Sequence, residues 1–173
     1  MAWDSNAPDP GGVPMWLLKR WTSEAMFRSY QAGVRVFMWY SIRDRDPGGR
    51  PWNESDQAGL YFRGETIGQD MAKPILQAFR FPFVAFSKSQ RSFLVWGRTP
   101  SSSAGWVSIQ IRRQGAWMRL KPLKAEPGGV FRGMVKVPTG STRFGSVRAV
   151  FQGEAALPFS LKKIKDRPAR PFG

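Results

Sequence analysis

The residues of this sequence best equipped for chemistry are carboxylate, amide and tryptophan side chains in two short stretches. One stretch precedes the first predicted helix, and the other follows an apolar run at residues 34–40. Tryptophan faces beside carboxylates and amides suit sugar rings, which present apolar C–H faces and hydroxyl edges. The resulting candidate substrate-binding residues are Trp3, Asp4, Asn6, Trp39, Arg43, Asp44, Trp52 and Gln57. The alternative is that Trp3 and Trp39 are core aromatics and that Asp44 only fixes its loop.

Several kinds of chemistry are excluded by composition. The 173 residues contain no cysteine and no histidine, so thiol nucleophiles, disulfides, Cys/His zinc sites and Ser-His-Asp triads are ruled out. No phosphate-binding glycine loop, nucleophile elbow or metal-ligand cluster occurs in the sequence. We therefore expect no cofactor and no metal.

The elements that must position these residues are of the α/β type in the first half. Leu18, Trp21 and Ala25 recur at helical spacing between Pro14 and Gly33, which predicts a helix over residues 14–32. The apolar run at residues 34–40 predicts a strand covered on both faces. A polar loop over residues 41–70 and a second helix beginning near Pro74 complete this half. One strand cannot form a sheet, so residues 1–80 are expected to be part of a larger domain.

The second half has the period of antiparallel strands. Apolar and polar residues alternate in short segments separated by glycine and proline turns, for example Val107, Ile109 and Ile111 against Ser108 and Gln110. The predicted strands cover residues 93–96, 106–112, 117–120, 130–137, 146–151 and 157–164. A small antiparallel β-sandwich fits this pattern best.

Charge separates the two halves more sharply than any motif. Residues 1–87 hold ten Lys/Arg and nine Asp/Glu, a net +1, whereas residues 88–173 hold seventeen against three, a net +14. A face bearing Arg112, Arg132, Lys136, Arg148 and Lys162 would suit a polyanion. A solvated strand face that blocks edge pairing is the simpler interpretation and ranks first; acidic polysaccharide is a minor alternative, and nucleic acid is not expected because no known nucleic-acid motif occurs.

An ordered set of short motifs carries a family resemblance. It comprises WDSNAPDPGGVP at residues 3–14, Arg20-Trp21, Glu24-Ala25, Trp39-Tyr40, Arg43-Asp44, QAGLYF at residues 57–62, Lys73-Pro74, AFRFPF at residues 78–83 and VWGRTP at residues 95–100. The set resembles the C-terminal part of bacterial TIM-barrel proteins similar to retaining glycoside hydrolases of the two-Glu type, with their appended β-sandwich. The resemblance implies an α/β plus all-β chain: a partial (β/α)8 barrel, its last helix, strand and helix, at residues 1–85, and a β-sandwich at 86–165. The basic, proline-rich composition of the C-terminal residues predicts a flexible tail at 166–173.

The same resemblance implies a carbohydrate-active protein whose two catalytic residues are absent from this sequence. Such enzymes use two glutamates about 5 Å apart at the ends of strands four and seven. Neither has a counterpart in this sequence, so the expectation is a fragment of a carbohydrate-active protein that is not competent for hydrolysis alone. The competing hypothesis is a freestanding basic β-sandwich that binds polyanions, either polysaccharide or nucleic acid.

The sequence offers no targeting or membrane signal. The start lacks the basic and apolar regions of a signal peptide, and no apolar run approaches eighteen residues. As it stands, the chain reads as soluble and cytoplasmic, with no membrane partner. A longer parent protein would be compatible with secretion, so the compartment is left open.

Overall fold

A computed structural model describes residues 2–138 and 145–162 of the chain. Over these residues the protein is rich in β-structure, with two α-helices. Single 3-10 turns lie at Trp52–Glu54 and Ile67–Gln69. The elements in chain order are β1 (Ser5–Asn6), β2 (Val13–Pro14), α1 (Met15–Gln31), β3 (Tyr61–Phe62), β4 (Met71–Ala72), α2 (Pro74–Arg80), β5 (Phe83–Ser87), β6 (Ser92–Arg98), β7 (Gly105–Arg113), β8 (Ala116–Arg119), β9 (Leu123–Ala125), β10 (Val130–Lys136), β11 (Ser146–Phe151), β12 (Glu154–Ala155) and β13 (Phe159–Ser160).

Helix α1 forms where the sequence predicts it. Leu18, Trp21 and Ala25 recur at three- and four-residue spacing and are all buried, so one stripe of the helix faces the protein interior. Gly33 follows the helix at a φ of 76°, a left-handed conformation that glycine adopts without a steric penalty. The shorter α2 begins at Pro74, whose missing N–H costs nothing in a first helical turn. Both predicted helices are thus confirmed.

Two antiparallel sheets share the main core. The six-stranded sheet has the order β12-β11-β7-β8, with β13 on β11 and β9 on β7, and the three-stranded sheet has the order β10-β6-β5. Val107, Ile109 and Ile111 of β7 are fully buried in the same cluster as Phe93 and Phe131 of the smaller sheet. The alternation in the sequence therefore marks the inner face of each sheet.

Helix α1 covers the other face of the three-stranded sheet. The ring of Phe27 lies 5.5 Å from the rings of both Phe86 and Trp96, and Tyr30 lies 5.4 Å from Trp96. Trp96 is consequently only 3% exposed. Helix α1 from the first half of the chain, the three-stranded sheet and the six-stranded sheet thus form successive layers.

The predicted strand at residues 34–40 is wrong, and with it the partial TIM barrel. The described residues there form no strand, and the structure has only two-residue strands in the first eighty residues. The physical reason is the lack of a pairing partner, because a strand exists only through hydrogen bonds to a neighbour. Val36 and Met38 are 72% and 76% exposed, whereas the prediction required them to be covered on both sides.

Strand β5 was not predicted, and it crosses the predicted domain boundary between residues 85 and 86. It pairs with β6 over its whole length, from Phe83 with Gly97 to Ser87 with Phe93. Strands β9 and β12 were also not predicted. The last predicted strand, residues 157–164, is represented by β13 alone, and the predicted tail at 166–173 lies outside the described residues.

Candidate functional site

Five of the eight candidate site residues lie close together, and three of them, Asp4, Asp44 and Gln57, surround one buried cation. The Trp3 ring lies 5.9 Å from Trp21 and 5.7 Å from Trp39, whose Nε1 donates a hydrogen bond to the Ala58 carbonyl at 2.7 Å. Asp4 Oδ1 accepts a hydrogen bond from the Gln57 backbone N–H at 2.7 Å. Asp44 and Gln57 are both buried. The Asp44 carboxylate and the Gln57 carbonyl both accept hydrogen bonds from the ammonium of Lys73. Lys73 is not among the eight residues predicted from the sequence.

Lys73 is the centre of this group, which we call the lysine cluster and which comprises Lys73, Asp44, Gln57, Ser5 and Asp4. Its side chain is fully buried, and Nζ donates to Asp44 Oδ1 at 2.6 Å, to Ser5 Oγ at 2.8 Å and to the Gln57 carbonyl at 2.8 Å. These three bonds use all three ammonium protons. Burial lowers the pKa of Lys73 and raises the pKa of Asp44, and the mutual hydrogen bond and charge attraction oppose both shifts.

The lysine cluster holds the chain together and is closed to substrate. A serine beside a lysine of lowered pKa has the composition of a nucleophile and its base. Ser5, however, is fully buried, and its Oγ donates to the Ala7 carbonyl at 2.8 Å. Gly59 donates to Asp44 Oδ1 at 2.9 Å, and a Cβ at Gly59 would overlap the backbone of Arg43 and Asp44. The cluster joins distant loops through a packed polar network.

The other three candidates lie apart from that cluster. Asn6 is exposed and donates to the Pro10 carbonyl at 3.1 Å. Arg43 donates to Asp70 Oδ1 at 2.9 Å and to the Gly64 carbonyl at 2.8 Å. Trp52 is exposed in a 3-10 turn. The structure therefore does not gather the eight residues into one open site.

A different surface does present uncompensated charge to solvent. It is the outer face of the six-stranded sheet, which we call the basic face. The register places Arg119 of β8 and Arg148 of β11 on either side of Gln110 in the central strand β7, so the three side chains share that face. The same parity places further residues on it: Trp106 and Arg112 of β7, Trp117 of β8 and Lys124 of β9.

Part of the basic face is held rigid. The Arg148 guanidinium lies 4.1 Å above the centre of the Trp117 ring, and its Nε donates to Gln110 Oε1 at 2.9 Å. A cation over an indole ring is attracted to the π system and keeps its remaining N–H groups available. Arg148 is therefore oriented before any ligand arrives.

The remaining cations of the basic face have no acidic partner among residues 2–138 and 145–162. Arg112 makes a single hydrogen bond, from Nε to the Gly115 carbonyl at 3.3 Å, while Arg119 and Lys124 are exposed and form no ion pair with a described carboxylate. The described strands place no Asp or Glu on this face. Trp106, which is 69% exposed, pairs across the strands with Lys124. An anion that meets the described strands of this face encounters cationic side chains and no carboxylate.

The basic face differs from the one expected from sequence. Arg112 and Arg148 do share it, but Arg132 and Lys136 belong to β10, which lies in the three-stranded sheet. Arg119, Lys124 and Trp106 were not selected for it. The alternation of Trp106, Ser108, Gln110 and Arg112 along β7 was the available signal, since residues two apart in a strand share a face.

Comparison with protein-family models, with curated proteins and with solved structures found no match to this chain. The described residues contain no group of three or more acidic side chains that could hold a metal ion. Neither described helix is long and apolar enough to cross a membrane.

Proposed function

We propose that this protein binds an anionic polysaccharide through the basic face of its six-stranded sheet. The observation that carries the proposal is the set of four cations, Arg112, Arg119, Lys124 and Arg148, on one face without a carboxylate among them. Like charges held on one surface repel one another, and a polyanion relieves that repulsion while releasing its own counterions.

The aromatic residues favour a sugar polymer over a single-stranded nucleic acid. Single strands are bound by successive open aromatic surfaces on which neighbouring bases stack. On the basic face one surface of the Trp117 ring carries the Arg148 guanidinium, so Trp106 is the freely exposed indole. Trp106 and Trp117 lie about 20 Å apart, from six residue steps along β7. One apolar indole among cations suits a sugar ring flanked by carboxylate or sulfate groups.

The proposal is binding without cleavage. Asp4 and Asp44, the carboxylates of the lysine cluster, already accept backbone or ammonium hydrogen bonds within the fold. The resemblance to glycoside hydrolases stays a prediction about origin, and an anionic carbohydrate partner is compatible with it. The cations proposed for polyanion binding all belong to the second half of the chain, whereas hydrolysis would require two carboxylates in one open cleft.

Heparin, uncharged dextran and a dT oligonucleotide of similar length test the proposal by calorimetric titration. Heparin is expected to bind most tightly, with an affinity that falls as salt rises, and dextran weakly or not at all. The double variant R112E/R119E should weaken heparin binding by about tenfold or more. R132E/K136E reverses the same amount of charge on exposed residues of β10 and is the matched control.

Two results would overturn this function. Equal losses in the two double variants would show that net charge alone, not the basic face, attracts heparin. Tighter binding of the oligonucleotide than of heparin would identify nucleic acid as the partner class.

A further inference from the structure

A second site lies on the opposite side of the three-stranded sheet from the six-stranded sheet. A cavity of about 330 Å³ opens between the end of α1, the extended segment after it, α2 and strand β6. This volume is at the lower end of the range of small-molecule sites in proteins. The cavity is remote from the basic face in the layer order, since the three-stranded sheet and the core lie between them.

Four of the eleven residues that line the cavity are aromatic. Tyr30 and Trp96 are 5.4 Å apart between ring centres, and Phe37 and Phe79 are 6.3 Å apart. Rings at these separations pack edge or face against one another and leave flat apolar surfaces. A flat apolar body of one or two fused rings matches such walls.

One polar group in the wall lacks a partner. Trp96 is 3% exposed, and its buried Nε1–H has no hydrogen-bond acceptor among the described residues. Buried indole N–H groups nearly always have an acceptor, because an unmade bond leaves the cost of desolvation unopposed. Because Nε1 is itself closed to solvent, a molecule in the cavity would contact the Trp96 ring, and the neighbouring indole N–H would report its presence.

Two arginines give the cavity a positive charge. Arg98 is held in place, with Nε donating to the Gly128 carbonyl at 3.1 Å and Nη2 to Ser102 Oγ at 2.8 Å. Arg35 is exposed, and neither arginine forms an ion pair with a described carboxylate. No Asp or Glu is among the residues that line the cavity. An anionic group is therefore favoured at its mouth.

We propose that this cavity binds a small aromatic anion, with its ring against the aromatic side chains of the wall and its acid group against Arg35 and Arg98. The inference is independent of the polysaccharide proposal, because it uses different residues and a different face. Polymeric heparin should therefore not displace such a molecule.

The probe for the test is 2-naphthoate, titrated into the full chain labelled with ¹⁵N. The Trp96 indole N–H signal, assigned by its loss in Trp96→Phe, is expected to move in a saturable manner. Two partial probes serve as controls: 2-naphthol carries the ring without the acid, and acetate carries the acid without the ring. Both should bind at least about tenfold more weakly.

Variants separate this site from general attraction to a basic protein. Arg35→Glu should weaken 2-naphthoate binding about tenfold, whereas Arg112→Glu, the same reversal on the basic face, should leave it within about twofold. Phe37→Ala, at a half-buried wall position, is a second variant that should weaken binding without altering charge. An unmoved Trp96 signal, equal effects of Arg35→Glu and Arg112→Glu, or an equal response to acetate would overturn the proposal.

Discussion

The lysine cluster and the basic face use similar cations in opposite ways. Lys73 is buried, and each of its protons is donated to a named oxygen of the fold. Arg119 and Lys124 are exposed and have no ion-pair partner among the described residues. A buried cation must be satisfied internally, whereas an exposed unpaired cation is available to a ligand. This difference is the reason that we assign a role in stability to the first region and propose binding for the second.

Removing the lysine charge is expected to have the largest effect on the protein. Lys73→Met keeps the side-chain volume but leaves the Asp44 carboxylate buried without its cation. We expect the free energy of unfolding to fall by about 3–5 kcal/mol. Chemical denaturation followed by tryptophan fluorescence measures it. Lys124→Met is the exposed counterpart and should change stability by less than about 0.5 kcal/mol; similar losses in both variants would remove the distinction between the two regions.

Neutralising both partners of the ion pair should lower the free energy of unfolding by less than removing one partner does. In the double variant Lys73→Met with Asp44→Asn no buried charge is left unpaired, and the amide oxygen can still accept from Gly59 N–H. The double variant should therefore be more stable than Lys73→Met alone. A double-mutant cycle in denaturant measures the coupling, and additive losses would argue against a functioning ion pair.

Acid should partly rescue the single variant. Burial raises the pKa of Asp44 even beside Lys73, and Lys73→Met removes the attraction that opposes this rise. A carboxyl whose folded pKa exceeds its unfolded value favours the folded state below that unfolded value and loses this contribution as pH rises through the folded pKa. The stability deficit of Lys73→Met should thus shrink as pH falls from 7 toward 4. Denaturation curves across this range check it, and a constant deficit would contradict it.

Changes on the basic face should leave stability almost untouched while reducing binding. R112E/R119E removes no buried contact and should shift the unfolding free energy by less than about 1 kcal/mol. Circular dichroism during thermal melting measures the shift. A large loss of stability would show that these arginines serve the fold as Lys73 does.

Among the effects on heparin affinity, the smallest is expected from removal of the exposed indole. Trp106→Ala keeps all four cations but removes the apolar surface proposed for a sugar ring, so heparin affinity should fall about threefold to tenfold. Its matched control is Trp52→Ala, since Trp52 is exposed outside the basic face. Calorimetric titration compares them. A larger loss at Trp52 would favour the site expected from sequence.

Elements could be predicted from the sequence where the periodicity within one segment shows which of its residues face the core. Strand β7 was predicted because its alternation shows directly which residues face the core. Helix α1 was predicted for the same reason. The prediction for residues 34–40 was wrong because an apolar run becomes a strand only when a neighbouring strand pairs with it. The sequence of the run does not show whether such a neighbour lies beside it.

Sites depend on relations between segments, and sequence gives these poorly. Lys73 precedes Pro74 at a helix start and looks like any loop lysine, so no local signal marks it as fully buried. Arg132 and Arg112 both alternate with apolar neighbours, yet they lie in different sheets. The alternation along one strand shows which of its residues share a face. The pairing register and the order of strands in the sheet decide which residues of different strands lie on the same face.

Locating bound heparin on the protein is the sharpest test of the proposed polysaccharide site. The indole N–H signals of the eight tryptophans can be followed in ¹⁵N spectra as a heparin octasaccharide is added. Our account predicts shifts at Trp106 and Trp117, with Trp21 and Trp96 unmoved. Shifts confined to Trp3, Trp39 and Trp52 would contradict it, because the carbohydrate would then occupy the region first expected from the sequence.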